Sequence, residues 1–214
     1  MFYSQDKQDE FLENNIFKGY KNGYFVDVGA HDGITINNTL YFEKNNHWKG
    51  INVEPIKSVY DELVQNRPNS ININCAIDEN DGEADFIYNK GYTEMISGLK
   101  NHYDPRHFNR LNNENNYHGS TTEIVSVKTR KLSSIFDELN VKHVNYLSID
   151  VEGAEFSVVK SIDFEKVFID VIGFENNYND SSLPIIKYLE DNGFKKIDIN
   201  SMDIFMINKT SKFY

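Results

Sequence analysis

Residues 24–33 read Y-F-V-D-V-G-A-H-D-G, an apolar run broken only by Asp27 and ending in Gly29, Ala30 and Gly33. A short apolar run without alternation marks a strand buried on both faces, and the glycines after it mark a tight turn into a helix. Such a strand needs a layer above it and a layer below. The segment therefore points to an open α/β sheet. Sheets of this type bind ligands in the crevice beyond the carboxyl ends of their strands. Asp27 stands close to that end, so a nucleotide-like cofactor is the first expectation.

The rest of the chain repeats the rhythm. After the strand at 24–28, residues 35–46 read as a helix carrying Leu40, Tyr41 and Phe42, and 50–54 as a second strand. Pro55 opens a helix with Ile56, Val59, Tyr60, Leu63 and Val64 at helical spacing, and 70–76 reads as a third strand. From about 81 to 131 the rhythm breaks. Short β segments at 83–88 and 122–129 flank a polar stretch, 89–121, which holds Tyr92, Tyr103, Phe108, Tyr117 and three of the six histidines. Long loops inside compact domains are usually lids or binding loops, so a substrate-side cover is expected here; a mobile surface loop would read the same way. The alternation then returns, with helices at 132–139 and 154–162 and strands at 146–150 and 171–175. Residues 184–192 read as a helix closed by Gly193. Segments 194–200 and 203–208, a short turn apart, imply an antiparallel hairpin at the sheet edge. No repeat or linker divides the chain. The expectation is one α/β domain over 1–214, with a doubly wound, mostly parallel sheet and helices on both faces.

Composition narrows the partners. Hydrophobic residues make up 39% of the 214 and aromatics 14%, enough for a packed core. The net charge of -11 argues against nucleic acid, whose phosphates would be repelled. No apolar run approaches the ~20 residues of a membrane span. The first ten residues show no basic region followed by an apolar stretch. The single cysteine, Cys75, cannot form an intramolecular disulfide. A cytoplasmic protein without a membrane span is expected.

The chemistry concentrates at the predicted strand ends. The turn Gly29-Ala30-His31-Asp32-Gly33 lacks both the G-x-G-x-x-G spacing of dinucleotide sites and the G-K-[ST] of a phosphate loop. Nothing in it neutralises a pyrophosphate. A cofactor with a cationic end is the better electrostatic match, and S-adenosylmethionine, with its sulfonium and amino group, is one. Glu54, before Pro55, ends the second strand, where a carboxylate accepts both ribose hydroxyls of an adenosine; capping of the Pro55 helix would also explain it. The adenine would lie near Cys75, Ala76 and Ile77. Cys75 reads as a packed thiol. A second cluster, L-S-I-D-V-E-G-A-E at 147–155, puts Asp150, Glu152 and Glu155 within six positions. Crowded carboxylates raise one another's pKa, which suits a general base or a cation site. Asp150 and Glu152 are the candidate bases, His31 the runner-up, and Glu155 a first-turn helix residue. With Glu175, Asp150 and Glu152 would make an oxygen-rich site for Mg²⁺ or a similar ion, although a metal is not favoured. No histidine spacing suggests zinc.

These pieces occur in an order that resembles the FkbM-type methyltransferases, class I enzymes that use S-adenosylmethionine for O-methylation. The resemblance rests on S-Q-D-K-Q-D at 4–9, F-V-D-V-G-A-H-D-G at 25–33, N-N-T at 37–39 and W-K-G-I-N-V-E-P at 48–55. It is completed by Y-L-S-I-D-V-E-G-A-E at 146–155 and I-G-F-E-N-N at 172–177. It implies a seven-stranded Rossmann-like sheet with a final antiparallel hairpin. It also implies cofactor contacts by Asp27, Gly29, His31, Asp32, Asn38, Thr39, Glu54 and the 75–77 segment, with Gln8 and Asp9 folding over the cofactor. Asn37 departs from the serine that similar sequences often carry. The implied reaction is methyl transfer to a hydroxyl of a sugar or glycan. A lipid-linked or small natural-product acceptor, a catalytically silent cofactor-binding module, and a nucleotide-sugar or NAD enzyme are the alternatives.

Overall fold

A computed structural model describes residues 1–176, 179–197 and 203–214, without the side chains of residues 107 and 179. In chain order the elements are α1 (Gln8–Phe11), continued by a π-helical turn over Leu12–Phe17, then β1 (Tyr24–Val28), α2 (Leu40–Asn46), β2 (Lys49–Val53) and α3 (Lys57–Asn66). Next come β3 (Ile71–Ile73), β4 (Ala76–Ile77), β5 (Gly82–Lys90), β6 (Gly98–Leu99), α4 (Pro105–His118) and β7 (Thr121–Arg130). The chain ends with α5 (Leu132–Glu138), β8 (His143–Ile149), α6 (Glu155–Lys160), β9 (Phe168–Phe174), α7 (Asn179–Asp191), β10 (Phe194–Ile197) and β11 (Ile204–Asn208).

Seven strands form the main sheet in the order β10-β11-β9-β8-β1-β2-β3. All neighbours from β9 to β3 run parallel, and β11 is antiparallel to both β9 and β10. Strand alternation sorts the side chains into two cores. Phe25, Tyr146, Val171 and Ile207 lie side by side across β1, β8, β9 and β11, and all join the aromatic cluster with Phe17, Phe42 and Trp48. One residue further along, Val26, Leu147, Ile172 and Met206 face the opposite, aliphatic core. Both faces are covered, which is why the parallel strands read as unbroken apolar runs. The chain moves outward one way from β1 to β3 and the other way from β8 to β9. The reversal falls between β1 and β8, where a crevice opens at the carboxyl ends.

The doubly wound sheet and the antiparallel edge agree with the sequence, and several details correct it. The helix expected over 35–46 begins only at Leu40, because Asn37 and Thr39 fold back onto Asp27. The strand expected over 70–76 is two: β3 stays in the main sheet, while β4 pairs with β7. Together β4, β7, β5 and β6 make a second, four-stranded sheet that sequence rhythm did not show. The stretch 89–121 is not a loop: the fourteen-residue α4, β6, two short helical turns at Glu94–Ile96 and Lys100–His102 and the ends of β5 and β7 order most of it. Asp104 caps α4 by accepting from the Arg106 N–H, Pro105 occupies the first turn, and Gly119 ends it at φ 69°. Pro184, read as a helix start, lies inside α7. Gly193 does follow that helix at positive φ. Expectations for 198–200 lie outside the described residues. Among the described residues no helix is long and apolar enough to cross a membrane.

Candidate active site

A cavity of about 680 Å³ occupies the crevice. One wall is the ends of β1, β2, β8 and β9 and the segments leaving them. The other is the second sheet and α4, which contribute Phe86, Thr93, Glu94, Leu99, Arg110 and Glu114. The volume suits a ligand of cofactor size.

The turn after β1 is held by Gly29 and Ala30, whose N–H groups donate to the Val53 carbonyl at 3.0 and 3.1 Å. His31 follows at φ 50° and enters the cavity. Its Nε2 lies 3.4 Å from Glu94 Oε2, and its Nδ1 is buried without a hydrogen-bond partner. Glu54 is buried at the end of β2 and accepts from the Ile56 N–H at 2.8 Å. Burial pushes its pKa up to about 7, against hydrogen bonds from the backbone of Ile56 and His31. Asn38 also lines the cavity, and its buried Oδ1 has no partner. Pro55, Cys75, Ala76 and Ile77 add a largely apolar side. Burial raises the Cys75 thiol to about 12, leaving it a packing group. The Gln8 amide donates to Asp203 at 2.7 Å, so the N-terminal segment closes over the cavity beside the final hairpin.

Several residues expected at the ligand are used elsewhere. Asp27 is buried behind the cavity, accepting from Asn37 Nδ2 at 2.9 Å and Thr39 Oγ1 at 2.8 Å. Burial raises its pKa, while the nearby Arg67 and the two hydrogen bonds act against that. Arg67 is fully buried and ties the same loop together, donating to Glu43, the Gly33 carbonyl, Asn37 and Thr39. Gly33 packs on Arg67 and Leu63, where a Cβ would stand 2.6 Å from each. Asp32 turns back to accept from the N–H groups of Ile34 and Thr35. Asp9 accepts from Tyr3 and Ser4 and shapes the N-terminus. Thus Asp9, Asp27, Ala30, Asp32, Gly33 and Thr39 shape the walls and are not among the cavity-lining residues. The physical reason is position: these residues sit behind the first wall and hold its loops together.

The second cluster does converge. Ligand oxygens of Asp150, Glu152 and Glu175 all lie within 4.8 Å of one another, at the ends of two neighbouring strands. Asp150 extends β8 through its N–H to the Val28 carbonyl, and Glu152 turns inward at φ 56°. Asp150 is reachable from the cavity yet crowded by protein, and burial followed by repulsion from Glu152 holds its pKa well above the usual range. Glu175 is raised to about 10 by burial and by the charges of Asp150 and Glu152. Asp203 is raised to about 6 by burial. Glu155 instead accepts from the Gly153 N–H at 3.0 Å and starts α6, as a first-turn residue should. Crowding of this kind raises the proton affinity of carboxylates, which suits a group that takes a proton from a substrate. The same oxygens are the set a hard cation would use.

Among the described residues, eight carboxyl side chains line the cavity against one arginine and one histidine. Arg110, from α4, donates to Glu114 at 2.8 Å and lies in the field of Glu152 and Glu175. Arg110, Glu114, Glu94 and Asp203 escaped sequence reasoning. Only the D-P start and the glycine stop of α4 announced a helix there.

Residues 27–196 match the family model described as the Methyltransferase FkbM domain. Among solved structures, an FkbM methyltransferase from Methylobacillus flagellatus KT superposes with a TM-score of 0.51 at 13% identity, covering 88% of this chain and 44% of that one. This chain therefore spans less than half the length of that protein. Aeropyrum pernix fibrillarin, in complex with S-adenosyl-L-methionine, gives a TM-score of 0.48 at 13% identity over 88% of this chain and 68% of its own. No curated protein matches. At these identities the likeness to solved structures is one of fold.

Proposed function

Because the chain belongs to the FkbM methyltransferase domain family, we propose that it transfers the methyl group of S-adenosylmethionine to an oxygen nucleophile, a hydroxyl of a sugar or glycan. The observation that carries this reading is the sign of the cavity: eight carboxyls, one arginine and one histidine among its described lining residues. A pyrophosphate cofactor would be repelled there, whereas a ligand bearing sulfonium and ammonium groups is attracted. The residues present fit such a ligand. Asn38 offers an unsatisfied buried oxygen, and Glu54 has carboxylate capacity beyond the backbone donors it holds.

When bound, S-adenosylmethionine supplies an activated methyl group. Glu54 would hold ribose hydroxyls, Ile56, Ala76 and Ile77 the flat apolar part, and Asn38 and the Gln8–Asp203 pair the polar end. Asp27, Arg67 and Thr39 fix the loop that presents His31 and Asn38. Asp150 or Glu152 accepts the acceptor proton, with His31 as the alternative base. Much of the rate comes from alignment of acceptor and donor between the two walls. We assign the Asp150–Glu152–Glu175 cluster to proton handling rather than to a metal ion, so turnover should persist after treatment with a chelator.

Calorimetry with S-adenosylmethionine and NAD, followed by labelled-methyl transfer to a saccharide panel, tests the reading. Tighter binding of NAD would overturn it. Glu54→Gln should weaken donor binding about tenfold. Asp150→Asn or Glu152→Gln should lower turnover by roughly 10²–10⁴ with little change in donor affinity. Unchanged turnover in both would remove these carboxylates from the chemistry.

A further inference from the structure

Tyr92 reaches the cavity from the turn after β5, yet 68% of its surface is exposed. An exposed tyrosine on a tight turn is ordinarily free to rotate. This one is backed by His118, the last residue of α4, with ring centroids 3.7 Å apart and planes 22° from parallel. Tyr117 meets the edge of the same imidazole at 84°. Thr93, fully buried, anchors the turn through its hydroxyl to Asn115 of α4 at 2.6 Å. One face of the Tyr92 ring is therefore covered, and most of its exposed area belongs to the other face and the edge.

The groups beside this ring are polar and charged. Glu94, two residues on, is held by Tyr88 Oη at 3.2 Å and by His31 Nε2 at 3.4 Å, and Arg110 and Glu114 share the same wall. Met95 and Ile96 add apolar area on this side, but an alkyl chain would make no use of Glu94, Arg110 and Glu114. A flat aromatic would leave the carboxylates and the guanidinium without hydroxyls to bind. A pyranose ring satisfies both demands, with C–H groups on its face for the electron-rich tyrosine and hydroxyls at its rim for carboxylate and arginine.

We propose that Tyr92, braced by His118, is the platform on which a saccharide acceptor stacks at the mouth of the cavity. This rests on the methyl-transfer reading above and adds the residue that selects the acceptor. Tyr92 positions the sugar and takes no part in moving the methyl group or the proton.

The experiment uses methyl hexosides and 6-deoxyhexosides as probes. Saturation-transfer NMR on the full chain with S-adenosylhomocysteine reads binding, and methyl transfer reads KM and kcat separately. Tyr92→Ala should weaken saccharide binding and raise acceptor KM roughly tenfold, leaving kcat and donor affinity near wild type. Tyr92→Trp should restore binding, His118→Ala should fall between, and Tyr117→Ala, outside the cavity lining, should behave as wild type. Saccharide binding by Tyr92→Ala at wild-type strength overturns the platform, as does an equal loss of donor affinity. A wild-type chain that binds the donor but no saccharide also overturns it, while leaving the methyl-donor reading standing. Failure to bind S-adenosylmethionine would overturn the methyl-transfer reading and with it the acceptor role of Tyr92, even where the NMR still shows saccharide binding.

Discussion

Gly29, in the turn after β1, and Gly119, just past the end of α4, hold similar backbone angles, φ 85° and 69°, and their surroundings could hardly differ more. A Cβ on Gly29 would stand 1.8 Å from the carbonyl oxygen of Asp150, on the neighbouring strand end, whereas one on Gly119 would meet nothing within 4 Å. The same contrast runs through the two walls. The first is made of parallel strand ends locked between buried layers, with a buried arginine behind it. The second is a small sheet and a surface helix whose arginine is half exposed. The first wall places groups to within a hydrogen bond, and the second presents side chains that an acceptor can reach.

The largest expected effect tests this directly. Gly29→Ala should destabilise by on the order of 5 kcal/mol or prevent folding, because a backbone oxygen cannot yield. Gly119→Ala should cost about 1 kcal/mol, the price of the left-handed conformation alone. Urea unfolding of both variants measures the gap, and similar losses would dissolve the distinction between the walls.

The two arginines sharpen it at a smaller scale. Arg67→Met leaves Glu43 with the Ser70 hydroxyl but no cation and leaves Asp27 buried without its cation, so a loss of about 3–5 kcal/mol is expected. Arg110→Met breaks one surface pair on α4 and should change stability by less than about 0.5 kcal/mol. A mild Arg67→Met would mean that the loop carrying His31 and Asn38 is held by other means.

The contrast also explains what the sequence could show. Strands buried on both faces announce themselves as apolar runs, so the order from β1 to β9 was legible, and so was the position of Glu54, Asp150 and Glu152 beyond strand ends, where they line the cavity. Among its described side chains the helix α4 buries only Leu111, so it has no apolar period to detect among its asparagines. β3 and β4 form one unbroken β pattern in sequence, I-N-I-N-C-A-I at 71–77, and only the partner strand assigns them to different sheets. Asp27 misled for a related reason. Its position beside a glycine turn is that of a ligand contact, but Asn37, Thr39 and Arg67 reach it from ten, twelve and forty residues away, and no local pattern records that.

The smallest effect is a pH dependence specific to the first wall. Glu54 has a folded pKa of about 7 against an unfolded value of 4.5, raised by burial. Between those values the folded chain binds a proton that the unfolded chain has released, so stability falls as pH rises. The contribution is fully present below the unfolded value and is lost as pH climbs through the folded one. From about pH 5.5 to about pH 8 this single group should lower stability by about 2 kcal/mol. Glu175 and Asp203, also raised, act in the same direction. Glu54→Gln cannot ionise, so its unfolding free energy should fall less steeply over that range, and the difference from wild type isolates the one carboxyl. S-adenosylmethionine should flatten the wild-type curve, because a cation and ribose hydroxyls favour the ionised form and pull the folded pKa back toward its ordinary value. A wild-type slope that survives both the substitution and the donor would place the proton elsewhere in the cavity and remove Glu54 from the donor's contacts.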